Sequence, residues 1–466
     1  MDEHTTPLLP DATQQLAEFS AQLQFDDIPP EVVHRMKTSL LDSLGCCLFG
    51  MTLPWTQKVR AMVLAEESTP VASIFGSAAK ASVANAVLVN STAGHAFELD
   101  DIHKESIVHA GSIAVPVVLS LAEQLEDFNG QRFLTSMVAG YEIGTRVGNA
   151  ATMDLFFRGF HPQGASGVFV AAASAARMLN LNAYQTQHTL GIAGSQAGGL
   201  MAAQEGAMVK RFHSGRAAQS GVYSAVLAKD GFTGITDVLE AGYGGYLSSY
   251  SGKPNANRLT DGLGTDWETG KVGYKPHACV TSIHACLDAF KYLLDTYNLT
   301  LDDIQTVKVG LSPMTYTHCA WEYKAQGVTA AQMNLFYSMT VMGLDGVAFV
   351  AQYDESRLTD PRILKFIHKI HAYIDQEIEA MGPAYRHAAR LEIQTTDGRQ
   401  FKHEILNRRG SPEHPLSHED VVYKFRNIVE RCLDPKDIDR VIAFSETFDQ
   451  CEDFRPLISI LQHKFC

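Results

Sequence analysis

From Pro30 the chain repeats apolar residues at three- and four-residue intervals. Within PPEVVHRMKTSLLDSLGCCLF, Val33, Met36, Leu40, Leu44 and Cys47 fall on one helical face, and proline stands where a helix begins. Similar spacing recurs in SVANAVLVNSTAGHAFEL, IAVPVVLSLAEQL, GQRFLTSMVAGYEIGTRVGNAA, ASGVFVAAASAARML and YQTQHTLGIAGSQAGGLMAA. Strand signals are scarce over this stretch, which predicts a helical domain. The run QGASGVFVAAASAARM is dominated by small residues, which let neighbouring helices approach closely.

The pattern changes after the glycines between Gly242 and Gly252 and the turn-rich SGKPNANRLTDGLG. A helix is predicted from about Ala278 to Tyr297, and IQTVKVGLS then alternates like a half-buried strand. In ARLEIQTTDGRQFKHEIL, Asp397-Gly398 separates two alternating runs, a hairpin signal. After Pro415, Ser417 and Asp420 form an approximate capping box before VVYKFRNIVERC. The predicted fold is mainly α with an α+β second domain: a helical domain over 1–270, a smaller α/β lid with an antiparallel sheet over 271–404, and a helical tail over 405–466 that packs back on the first domain.

A length of 466 residues at 45% hydrophobic content is enough for two cores. The net charge of −14, with both signs interspersed, argues against nucleic acid or an anionic membrane surface as partner and favours a small molecule. Apolar runs break well short of the roughly 20 residues that a membrane span needs. Eight cysteines are scattered without a Cys-x-x-Cys, so the sequence predicts free core thiols rather than a zinc ribbon or iron–sulfur cluster. The start MDEHTTPLLP has neither the basic nor the apolar region of a leader, and the expected location is the cytoplasm.

Four clusters carry candidate chemistry. GHAFELDDIHKESIVHAGS brings His95, Glu98, Asp100, Asp101, His103, Glu105 and His109 together, and carboxylates beside imidazoles suit proton transfer near neutral pH. The bland alternative is a helix end whose acids cap it and pair with Lys104. Histidine spacings of eight and six match no metal motif, so no metal is expected. RGFHPQGA places His161 before a Gly/Ala-rich helix, positioned to add a charge-assisted bond to a carboxylate. MVKRFHSGR gathers Lys210, Arg211, His213 and Arg216; Lys210 and Arg211 point differently on any regular element, so one serves a pocket and the other a structural pair. YKPHAC places Lys275 and His277 at the predicted domain junction, where clefts form, and Tyr316 and His318 extend the set.

The Gly-rich GIAGSQAGG and GYGGY follow no strand of a βαβ unit, and no Gly-x-Ser-x-Gly elbow occurs. What remains is a pocket of His, Lys and Tyr with acidic support, suited without a cofactor to moving a proton or a carboxylate on an anionic substrate.

These clusters, with DDIPPEVVHRMKTSLLDSLGCCLFG, GFHPQGASG, GLMAAQEGAMVKRFHSGRAAQSG and YKPHACVTSIHACLDA, give the chain a resemblance to the MmgE/PrpD family over nearly its whole length. That family includes cis-aconitate decarboxylases, iminodisuccinate epimerases and 2-methylcitrate dehydratases. The resemblance implies a cofactor-independent homodimer acting on a small polycarboxylate in a pocket between a helical domain and a lid. It assigns the pocket to His109, His161, Lys210, Lys275 and Tyr316, with Glu98 or Asp100 as the acid supporting the histidine. His103, Arg211 and His277 are expected in binding or supporting places. The segment around Lys210 is more similar to the decarboxylases and epimerases than to the dehydratases. A catalytically silent polycarboxylate-binding dimer is the alternative of another class.

Overall fold

The computed structural model describes residues 8–463; the first seven residues, read above for the absence of a leader, and Cys466 lie outside the described residues. The helical domain contains α1 (Ala12–Gln22), α2 (Pro30–Gly50), α3 (Pro54–Ala65), α4 (Val83–Gly94), α5 (Gly111–Ala122), α6 (Gly130–Phe157), α7 (Pro162–Ala165), α8 (Gly167–Met178), α9 (Ala183–Gly194) and α10 (Val209–Lys229). Helix α2 starts at its proline, where no N–H donor is needed. Its first turns bury one face, but every residue from Thr38 to Gly50 is buried, so α2 runs into the core. Helices α4 and α5 are buried along their whole length, and each fully buried Val or Leu contributes about 1.5–3 kcal/mol.

The small-residue helix α8 lies between α6 and α10. A Cβ on Gly144 of α6 would stand 2.1 Å from Val170 Cγ2, so the glycine lets the two backbones meet. Two short strands then set the site. β3 (Ile102–His103) pairs antiparallel with β4 (Val272–Gly273), which fastens the loop between α4 and α5 to the chain just before Lys275; β1 (Ala72–Ser73) and β2 (Lys80–Ala81) pair elsewhere.

The lid sheet has the order β6-β5-β7-β8, built from β5 (Ile304–Leu311), β6 (Ile370–Ile374), β7 (Ala389–Thr395) and β8 (Gln400–Ile405). It is mixed, not purely antiparallel as expected: β5 pairs parallel with β6 and antiparallel with β7. A long, largely helical crossover separates β5 from β6, and only such a crossover returns the chain in the same direction. Asp397-Gly398 makes the β7–β8 turn, with Gly398 at φ +89°. The helix before β5 runs over His284–Tyr297, not from Ala278; residues 274–280 stay irregular after β4 and carry Lys275 to the domain junction.

The tail helix His418–Val429 is opened by the Ser417/Asp420 capping box and packs on α2. Its Lys424 is buried with Nζ 2.6 Å from Asp42 Oδ1 of α2, and also donates to the backbone carbonyl of Leu99. The described cysteines are all free, and all but Cys451 are fully buried. Among the described residues no helix is long and apolar enough to cross a membrane.

Candidate functional site

The site is built on the loop from His95 to Ala110, between two fully buried helices. Its backbone is held in left-handed conformations at Glu98 (φ +55°) and Ile107 (φ +56°). Such conformations cost about 1–3 kcal/mol per non-glycine residue and persist only where the surroundings enforce them.

At Glu98 the enforcement is electrostatic. Its Oε1 accepts from Lys210 Nζ and, at 2.7 Å, from Arg211; its Oε2 accepts from Lys275 Nζ at 3.0 Å. All four side chains are buried. Burial works to raise the Glu98 pKa, but Lys210, Lys275 and Arg211 together hold it well below the usual carboxylate range. Burial lowers Lys210 to about 8, because Glu98, shared three ways, only partly offsets that burial and the repulsion from Arg211 and Lys275. Glu98 is shared by three cations, and Asp100, 4.0 Å from Lys275 but engaged with His95, offsets them only in part; the positive charge left beside the cavity is what a substrate carboxylate requires.

Two residues on, Asp100 takes the other role. Its Oδ2 lies 2.8 Å from His95 Nδ1 and its Oδ1 lies 3.3 Å from His109 Nδ1. Burial would raise its pKa, but the two imidazoles hold it well below the ordinary value. Of the two acids offered by the sequence, Asp100 therefore supports His109, and Glu98 serves the lysines. The His109 backbone is clamped from both sides by Gln163, whose Oε1 accepts the His109 N–H at 2.8 Å and whose Nε2 donates to the His109 carbonyl at 3.1 Å. Asp101 accepts from the Gly111 N–H at 3.0 Å and from the Tyr141 hydroxyl at 2.6 Å, pinning the start of α5 immediately after His109.

His109, His161, Lys210, Lys275 and Glu98 line one cavity at the junction of the domains, closed on the lid side by Ser282, His318 and His387. His161 was expected to offer a charge. Burial, then the charge of Lys210, hold it well below the usual imidazole range.

Other expected residues stand elsewhere. Tyr316 is not part of the cavity lining: the helix Pro313–Cys319 turns Met314 and His318, four residues apart, toward the cavity and leaves Tyr316 against the hydrophobic core. His277 faces a separate cleft and bonds Asp288 at 2.8 Å, because the chain alternates direction after Lys275. His103 lies behind the loop, held by Glu268 at 2.9 Å and Ser106 at 3.0 Å. Arg211 is beneath the cavity as a structural partner of Glu98 while Lys210 lines it, the division of labour that their adjacent positions predict.

Sequence reading missed Gln163, Ser282 and His387 as site residues. Gln163 and Ser282 lay inside the noted FHPQG and YKPHACVTSIHACLDA segments; nothing local marks His387, which arrives from a distant part of the lid. It also missed a donor set. Ligand atoms of His95, Asp100 and His109 lie within 4.8 Å of one another, a spacing that the sequence intervals conceal. His95 Nδ1 and Asp100 Oδ2 hydrogen-bond at 2.8 Å, whereas His109 Nδ1 and Asp100 Oδ1 stand 3.3 Å apart in close contact without a hydrogen bond.

Comparison with known proteins agrees with this geometry. The MmgE/PrpD N-terminal domain family matches residues 14–258, and the MmgE/PrpD C-terminal domain family matches residues 277–450. A cis-aconitate decarboxylase from Aspergillus terreus is 29% identical over 96% of this chain and 95% of its own length. A cis-aconitate decarboxylase-like protein from Aspergillus oryzae is 28% identical over 96% of this chain and 97% of its own, and the Homo sapiens cis-aconitate decarboxylase is 25% identical over 98% and 95%. With both of its domain families matched in order along the chain and the buried His–Lys cavity between them, this protein belongs to the MmgE/PrpD family.

Proposed function

We propose that this chain is a decarboxylase of a small tricarboxylate of the cis-aconitate type, working without a cofactor and as a homodimer. The observation that carries the reading is the placing of the Glu98–Lys210–Lys275 cluster and the Asp100–His109 pair on one cavity. Lys210 and Lys275 hold substrate carboxylates by charge-assisted bonds. Cleavage of the carbon–carbon bond releases CO₂ and leaves its electron pair on the substrate as a dienolate. His109, oriented through Nδ1 by Asp100, donates a proton to the carbon. The product for cis-aconitate is itaconate.

The second reading is epimerisation of an iminodisuccinate-like amino dicarboxylate. It is favoured by the presence of two imidazoles, His109 and His161, on the same cavity, since removing an α-proton from one face and returning it on the other needs two groups. Dehydration of a 2-methylcitrate-like acid ranks third.

The test is ¹H NMR in D₂O with cis-aconitate, iminodisuccinate and 2-methylcitrate in parallel. Itaconate formation supports the decarboxylase. Deuterium entry at an α-carbon with stereoisomer interconversion replaces it by the epimerase. Tight calorimetric binding of a polycarboxylate without any product leaves a silent binding protein.

A further inference from the structure

His161 and His213 meet Nδ1 to Nδ1 at 2.9 Å. At that distance one ring must donate an N–H and the other accept it, so the two rings share a proton. Their exposures differ. His161 is buried and lines the cavity, whereas His213 is half-buried and does not. Helix α10 places Lys210 at the cavity and His213 three residues later, on the same side of the helix.

The contact has a prepared place. Gly199, at φ +120°, lies against the His213 ring, and a Cβ there would sit 3.2 Å from its Cγ and Nδ1. The Gly199 carbonyl also accepts the His161 backbone N–H at 3.0 Å. A side chain at position 199 would therefore push the two rings apart. The charged and titratable neighbours are few: Lys210 acts on both rings, and His95 and His109 act on His161. Burial first, then Lys210, hold both imidazoles below their ordinary range.

Decarboxylation consumes one proton per turnover. The carbon takes it from His109, and His109 must recover one before the next cycle. We propose that His213 and His161 form a two-imidazole relay that carries this proton from solvent into the cavity, an inference that rests on the proton-transfer reading above. A proton added at His213 Nε2 drives the His213 Nδ1–H across to His161 Nδ1. The His161 Nε2–H then passes to the deprotonated His109 ring across the cavity that both line. One proton enters at the solvent end, one leaves at the cavity end, and no electron changes owner; both rings then turn over to restore their starting tautomers before the next turnover. His213 touches no substrate and acts through His161.

The test uses His213→Gln with cis-aconitate as substrate probe, in dilute and in concentrated buffer. In dilute buffer kcat falls by at least about tenfold, while kcat/KM stays within about twofold, because recovery of the proton follows product formation. Added imidazole restores kcat in a saturable way. Parallel loss of kcat and kcat/KM without imidazole rescue, or an unchanged kcat, overturns the relay. A second measurement needs no turnover: ¹⁵N NMR of the histidine rings in the resting protein. One protonated and one unprotonated Nδ1, with the His161 signal moving in His213→Gln, supports the shared proton; a His161 signal indifferent to the substitution overturns it. A wild-type protein that releases no CO₂ but shows the coupled signals removes the decarboxylase reading and leaves the relay.

Discussion

Lys275 Nζ stands 3.0 Å from Glu98 Oε2, and this contact joins the segment leading into the lid to the loop between His95 and Ala110. Because Glu98 is simultaneously the partner of Lys210 and Arg211, it fixes three buried cations at once. Glu98→Gln keeps the shape and removes the charge, leaving Lys210 and Arg211 without their carboxylate and Lys275 with only Asp100, 4.0 Å away. The expected loss is about 3–5 kcal/mol of stability, measured as a lower urea midpoint. The Glu98 carboxyl is held well below its ordinary pKa, so the unfolded chain takes up this proton at higher pH than the folded one. Its stabilisation is thus complete above the unfolded carboxylate range and is lost as pH falls toward the depressed value. An unchanged midpoint in the variant would remove Glu98 from this role.

His109→Ala is expected to lower kcat by about two to four orders of magnitude, the usual contribution of a positioned acid or base. Asp100→Asn should lower kcat more than it raises KM, since Asp100 faces His109 at 3.3 Å and reaches the lysine cluster only at 4.0 Å, through Lys275. Steady-state kinetics on both variants decide; full activity of His109→Ala excludes it from the chemistry.

Lys210 loses its proton near pH 8 in the folded protein, and with it one carboxylate-binding charge. The Michaelis constant of the wild type should therefore rise above about pH 8, whereas Lys210→Arg, charged throughout, should lack that rise. A pH–KM profile that is identical in the two proteins contradicts the assignment. The linkage to stability runs in a definite direction. The unfolded lysine binds its proton more tightly than the folded one, so the penalty for burying Lys210 is full below the folded value and disappears as pH rises to the ordinary lysine range.

Asp101 presents the reverse case for an acid. Burial raises it to about 7 despite the Tyr141 hydroxyl and the Gly111 N–H. A raised folded pKa contributes stability that is full below the unfolded carboxylate range and is lost as pH rises toward 7. Asp101→Asn should flatten this part of the profile, seen as a smaller fall in Tm between about pH 4 and 7 than in the wild type. Equal slopes would mean that Asp101 is charged throughout.

Exhaustive chelation should leave turnover unchanged, because Asp100 is already bonded by His95 at 2.8 Å and faces His109 at 3.3 Å. Activity that disappears with chelator and returns with one divalent ion would convert that cluster into a metal site.

What the sequence made legible followed from local rules. The 3.6-residue periodicity located α2, α4, α5 and α8, and Ser417 with Asp420 located the tail helix, because helix periodicity and capping act within a few residues. His109, His161, Lys210 and Lys275 were found as dense polar clusters in otherwise apolar surroundings, and the structure gathers them on one cavity. The parallel pairing of β5 with β6 was not legible, because it depends on how a long crossover folds back. The resemblance puts Tyr316 in the pocket ahead of His318, and the structure reverses that order, since two residues of shift on a short helix change which side chain faces the cavity. His277 looked equivalent to Lys275 in the sequence, but its partner Asp288 comes from the following helix and draws it into another cleft.

Lys424 grips the carbonyl of Leu99, 325 residues earlier in the chain, between the two acids of the site. On a ribosome adding about 5–20 residues per second, roughly 15 to 65 seconds separate the synthesis of these two partners. During that interval the loop exists with its acids and histidines but without the lysine that braces it. Its final form is therefore a late event in the life of each nascent molecule, reached when the tail helix docks on α2.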